Sequence, residues 1–163
     1  MIKNKSFTPD PAIWLSYATF LMTTLSPPTP TRARALLSRA TQSVPSSQHR
    51  YLTQKFASLE FKLPNGDAER GRTIFEGLVS TWPKKWDVWD VYVSLEMSHG
   101  GEENVRGLFE RMSKVSMKKR RAEAVFRRWR EWEASVGNAA AAKKVENAEA
   151  EWQEKKGAKG EEE

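Results

Sequence analysis

The chain has 163 residues, with 27 Lys and Arg against 21 Asp and Glu, a net charge of +6 and no cysteine. Disulfides and thiolate metal sites are excluded, and a reducing intracellular compartment is expected. Mean hydropathy is −0.69 and no stretch approaches the roughly 18 apolar residues of a membrane span, so none is expected; Met1 to Asp10 lacks the apolar core of a signal peptide. Seven Trp, seven Phe and three Tyr supply large groups for burial, enough for one domain with a real core.

Eight helices are predicted in chain order, with a flank at 1–10. The first, 11–24, follows an Asp10-Pro11 start, a capping residue and then proline at the first helical position. It carries Trp14, Tyr17, Phe20 and Leu21, and the Ser26-to-Pro30 cluster stops it. The second, 31–43, carries Ala33, Leu36, Leu37 and Ala40; the third, 48–62, carries Leu52, Phe56 and Leu59. Pro64-Asn65-Gly66 breaks the chain, and Asp67 caps a fourth helix, 67–81, whose expected core is Ile74, Phe75, Leu78 and Trp82. The fifth, 86–98, carries Val88, Trp89, Tyr92, Leu95 and Glu96 and closes at Gly100-Gly101. The sixth, 102–113, opens on Glu102-Glu103, well placed against a helix N-terminus, and presents Val105, Leu108, Phe109 and Met112. The seventh, 118–136, lines up Ala122, Phe126, Trp129 and Glu133 and ends at Gly137-Asn138; the eighth, 139–156, carries Ala141, Val145, Ala148 and Trp152. Residues 157–163 read as a disordered acidic tail. No segment sustains period-two alternation, so no sheet is predicted.

The chain repeats itself. Trp89, Tyr92, Leu95, Glu96 and Gly100 align with Phe126, Trp129, Trp132, Glu133 and Gly137 at an offset of 37, and Phe56, Leu59 and Glu60 fit the same frame. Trp14, Tyr17 and Phe20 fit it without the glutamate. The intervening helices match as well: Arg72, Phe75 and Glu76 align with Arg106, Phe109 and Glu110, with Arg34, Leu37 and Ala40 a looser copy. One such helix pair cannot bury its apolar face alone, whereas stacked pairs share a continuous core. The predicted fold is all-α, an elongated α-α superhelix of about four pairs over 11–156, divided near 11–45, 47–83, 85–117 and 118–156. In that fold the repeated aromatics are packing residues. Glu60, Glu96 and Glu133, recurring in register, are expected to take hydrogen bonds or an arginine from their own or the next repeat.

The pattern resembles half-a-TPR (HAT) repeats, with Trp89, Tyr92, Glu96, Arg106, Phe109, Glu110 and Arg111 the fullest copy. From Leu59 to Val79, and again through Trp89, Tyr92 and the Val105-to-Arg111 segment, the chain is similar to the C-terminal repeats of the ribosomal RNA-processing protein five family, called programmed cell death protein eleven in animals. The resemblance covers residues 12–152. It implies a non-catalytic nucleolar scaffold in ribosome biogenesis, working in the small-subunit processome with pre-ribosomal proteins and, as a further partner, precursor ribosomal RNA. It implies no membrane and no small-molecule substrate.

No constellation for catalysis, cofactor or metal stands out. His49 and His99 lie in different repeats without a ligand pattern, and Gly66, Gly71 and Gly77 do not form a phosphate-cradling loop. The charge run is the one candidate binding feature: Lys114, Lys118, Lys119, Arg120, Arg121, Arg127, Arg128 and Arg130 face a single acid, Glu123, over 113–130. A solvated helix face, a surface for RNA or an acidic protein, and a nuclear-import signal at Lys118 to Arg121 are the readings such a run allows.

Overall fold

The computed structural model describes residues 10–136 and 138–160, the last two through their backbone only. Among the described residues there are eight helices and no strand: α1 (Pro11–Thr23), α2 (Pro30–Ser43), α3 (Ser46–Lys62), α4 (Ala68–Thr81), α5 (Trp86–His99), α6 (Glu102–Lys114), α7 (Lys119–Ser135) and α8 (Ala139–Gly160). The fold class is all-α. Residues 1–9 of the expected flank, Gly137 and 161–163 lie outside the described residues.

The helices begin and end where local chemistry demands. Asp10 accepts a hydrogen bond from the Ala12 N–H at 2.9 Å, with proline next in line. Asp67 accepts from the N–H groups of Glu69 and Arg70 at 3.0 and 3.3 Å. Asn138 accepts from Ala141 at 2.9 Å. Each satisfies a donor that the first helical turn leaves without a backbone partner.

The chain forms two compact units that divide between Gly100 and Gly101. The division falls within the expected third pair, with α5 in the first unit and α6 in the second. In the first unit each helix packs on the next, and the odd-numbered helices also touch one another, α1 on α3 and α3 on α5. One cluster gathers Ala18, Leu21, Ala33, Leu36, Leu52 and Phe56. Further along, Phe61 meets Phe75 edge-on at 6.1 Å, and Phe75 stacks on Tyr92 at 4.8 Å. Tyr92 donates its hydroxyl to Glu76 at 2.9 Å, and Trp89 donates its ring N–H to the Pro83 carbonyl at 2.9 Å. In the second unit α7 packs between α6 and α8, with Phe109 stacked on Trp129 at 5.7 Å and Phe126 on Trp129 at 6.4 Å. Phe75, Trp89, Tyr92, Phe109, Phe126 and Trp129 are all buried.

Three expectations need correction. Two of the three aromatics of the α1 frame are turned outward: α1 buries Ala18, Leu21 and Met22 and packs Trp14 against the core, whereas Ile13, Tyr17 and Phe20 are exposed and Tyr17 stacks on Phe20 at the surface. α1 meets α2 and α3 through the face that carries Ala18, Leu21 and Met22, which leaves Tyr17 and Phe20 on its outer side. Trp82 is exposed rather than part of the α4 core, because it follows the last turn of the helix. The eighth helix continues through Gly157 to Gly160, so 157–160 are not part of a disordered tail. One exposed glycine costs a helix only about 1 kcal/mol, and alanine and lysine around it restore much of that.

Candidate binding surfaces

The charges that recur from repeat to repeat are internal. Arg34 on α2 donates from Nε and Nη2 to the two carboxylate oxygens of Glu60 on α3, at 2.8 and 2.9 Å. Arg72 on α4 does the same to Glu96 on α5, at 2.6 and 3.0 Å. Arg106 on α6 repeats it on Glu133 of α7, at 2.9 and 3.0 Å. The guanidinium always comes from an even-numbered helix and the carboxylate from the next odd-numbered one. Glu60, Glu96 and Glu133 are buried at 5%, 1% and 1% exposure, and each arginine stays partly open to water. The hydrogen bonds to these glutamates push the pKa of Arg34, Arg72 and Arg106 above the ordinary arginine value.

Local groups complete each staple. Glu60 also accepts the Asp67 N–H at 2.8 Å, and Glu133 accepts the Trp129 ring N–H at 3.3 Å. Beside Glu96 the chain has no room for a side chain at residue 100: a Cβ on Gly100 would lie 1.8 Å from the Glu96 carboxylate. The Arg106 guanidinium additionally lies 5.3 Å from the centre of the Trp132 ring, a favourable cation–π arrangement. Of the arginines, Arg34 belongs to the copy that the sequence matches only loosely, yet its staple has the same form as the other two. Its signal was the offset to Arg72 and Arg106, which is 38 and then 34 residues.

The basic run divides. Lys114, Lys118, Lys119, Arg120 and Arg127 are exposed. Arg120 and Arg127 lie opposite the stripe of Ala122, Phe126 and Trp129 that faces the core. Arg121 and Arg128 are half-buried and engaged in interactions of their own. Arg130 does not belong to an open surface: it is ion-paired with Glu149 on α8. The sequence could not show this, because the pair forms only once α8 packs on α7.

His49 lies with Nε2 3.0 Å from the Val44 carbonyl, tying the start of α3 to the loop before it. His99 is exposed, and Glu102 is bound by Arg106 at 3.0 Å. Among the described residues no cluster of His, Asp or Glu could hold a metal ion, and no helix is long and apolar enough to cross a membrane. A groove of about 850 Å³ lies in the second unit, bounded by the end of α6, the loop after it, α7 and α8.

Helices without a strand among the described residues, with Arg–Glu staples that recur from pair to pair, define a class of helical repeat. Residues 15–163 match the model of the C-terminal HAT repeat of the pre-mRNA-splicing factors Syf1/CRNKL1, and the chain belongs to the HAT-repeat family. Within it, the chain is similar to the rRNA biogenesis protein rrp5 of Schizosaccharomyces pombe, 42% identical over 89% of this chain. It is likewise similar to the protein RRP5 homolog of Homo sapiens, 38% identical over 79% of this chain. The pre-mRNA-splicing factor syf1 homolog of Drosophila melanogaster is 31% identical over 46%. The chain spans only 8%, 7% and 8% of the lengths of these three relatives. The resemblance to the repeats of the rRNA-processing family, read from the motif residues, thus extends over most of the chain.

Proposed function

We propose that this chain is a non-catalytic scaffold of ribosome biogenesis, a HAT module that holds pre-ribosomal proteins together in the nucleolus within the small-subunit processome. The observation that carries this reading is the match to rRNA biogenesis proteins over 79–89% of the chain. The staples support it, because they commit the recurring charged residues to packing and leave outer surfaces for partners. Removing residues 11–156 from the full-length protein in its own cells should cause unprocessed precursor ribosomal RNA to accumulate. The isolated chain should capture pre-ribosomal proteins from nuclear extract even after ribonuclease treatment. Normal processing in the deletion strain would overturn the proposal.

A second reading, direct RNA contact, is favoured by one observation. Lys118, Lys119 and Arg120 are exposed at the start of α7, and Arg127 is exposed at its middle. Reversing Lys118, Arg120 and Arg127 to glutamate should leave helicity intact, since exposed charges contribute little to stability. If RNA binds there, its affinity should fall steeply with salt in the parent, as counterion release requires, and vanish in the variant. Equal RNA binding by parent and variant would remove this reading.

A further inference from the structure

We propose that the groove of the second unit is a docking site for an acidic peptide segment that carries an apolar anchor. The inference deepens the scaffold reading by naming the chemistry of one partner, and rests on that reading only for its biological setting. The argument begins with the floor. Met117, Phe126, Trp129 and Val145 line the groove and are buried in the second unit's core, so their inner surfaces are already used. Val115, Ala148 and Trp152 also line it and are only half-buried, leaving apolar surface for a side chain from outside. The groove's volume, about 850 Å³, falls in the range of ~300–1,000 Å³ typical of ligand pockets.

The rim sets the sign of the occupant. Lys114 on α6 and Lys144, Lys155 and Lys156 on α8 border the groove. All four are exposed, and none is ion-paired among the described residues. Arg106 and Glu133, also in the lining, neutralise each other. The remaining acids of the lining are Glu110 and Glu151, so four lysines against two carboxylates leave an excess of two positive charges. Lysine ammonium groups are adaptable point charges that suit carboxylates presented at irregular spacing.

The same geometry argues against a nucleic acid here. Glu110 and Glu151 interrupt the basic rim and repel a uniformly charged phosphate chain, whereas a peptide can set an apolar or neutral residue beside each. The floor lacks an open ring pair on which successive bases would stack, since Phe126 and Trp129 are buried. An apolar anchor in a pocket ringed by complementary charge is the usual form of a binding hot spot.

The test is a selection that presupposes no sequence. A phage-displayed library of random peptides is panned on the purified chain, and the enriched peptides are synthesised with a fluorescent label. Expected are peptides with more Asp and Glu than Lys and Arg around an aromatic or aliphatic residue. Their affinity should fall about tenfold or more in the Lys144→Glu, Lys155→Glu, Lys156→Glu variant, with an unchanged far-ultraviolet spectrum. Lys114→Glu, on the opposite wall, should weaken the same peptides, which an α8 face binding alone would not predict. No enrichment over an empty support, peptides without an acidic excess, or binding indifferent to either variant would overturn the proposal. So would an oligouridine that displaces the peptides and loses affinity equally in the variants, which would mark the site as one for RNA. Selection on the isolated chain reads groove chemistry alone, so its failure is distinct from a failure of the deletion experiment.

Discussion

Replacing Arg72 by alanine isolates the energetics of a staple. In the parent, Arg72 binds both oxygens of Glu96 at 2.6 and 3.0 Å while Glu96 is 1% exposed. Without the guanidinium, a buried carboxylate loses its bidentate cationic partner. Removing one partner of such a pair costs about 3–5 kcal/mol. For a unit of this size that lowers Tm by at least about 10 °C. Glu96→Gln should cost less, about 1.5–3 kcal/mol, the worth of hydrogen bonds to a charged group. It keeps the shape, and the arginine, 19% exposed, can turn toward water. Arg72→Met combined with Glu96→Leu should recover part of the loss, since apolar residues of similar volume often replace a buried ion pair at little cost. The measurement is urea unfolding followed by circular dichroism and by tryptophan fluorescence, with coincident transitions as the check on two-state behaviour. If Arg72→Ala stays within about 1 kcal/mol of the parent, or Glu96→Gln proves the costlier change, the staple does not carry the load argued for it.

Phe75→Ala should cost about 3–5 kcal/mol, because this fully buried ring links Phe61 to Tyr92; a parent-like urea midpoint would contradict that. Gly100→Ala should destabilise by about 1–3 kcal/mol through overpacking, since its Cβ would collide with the Glu96 carboxylate; a neutral result in thermal melts would show that Glu96 can move aside. Tyr17→Ser with Phe20→Ser should change stability by less than about 1 kcal/mol, given how exposed both rings are, and a large drop in Tm would refute the outward orientation of that face. Burial raises the carboxyl pKa of Asp87, but the hydrogen bond and charge of Arg50 outweigh it and hold the group below its ordinary 3.8. The pair's contribution is therefore present above about pH 4 and lost as pH falls through the lowered pKa. An NMR titration should place the Asp87 midpoint below that of an ordinary aspartate, and Arg50→Gln should move it upward; an unmoved midpoint would dissociate the two.

Much of this architecture could be read before any coordinates. Asp10, Asp67, Asn138, the prolines and Gly100-Gly101 act within one turn of themselves, so each helix begins within about two residues of its expected position. The recurrence of Glu60, Glu96 and Glu133 pointed to a shared structural task, because buried charge is tolerated only when paired. What stayed hidden depends on neighbours distant in sequence. The exposure of Tyr17 follows from the face that α1 turns to α2 and α3, which its own spacing cannot report. Arg130 looked like its basic neighbours until α8 brought Glu149 to it. The groove is a gap between elements, and no residue type encodes a gap.

The staples also bear on how the chain acquires its structure. Their partners are separated by 26, 24 and 27 residues, and each lies within one of the two units. Closing such a loop costs little entropy, and contacts of short range in sequence favour rapid folding. During synthesis, an arginine would wait for only one more helix to leave the ribosome before its glutamate arrives. Every second helix would then be clamped to the one before it as it emerges, so that order accumulates pair by pair instead of awaiting the far end of the chain.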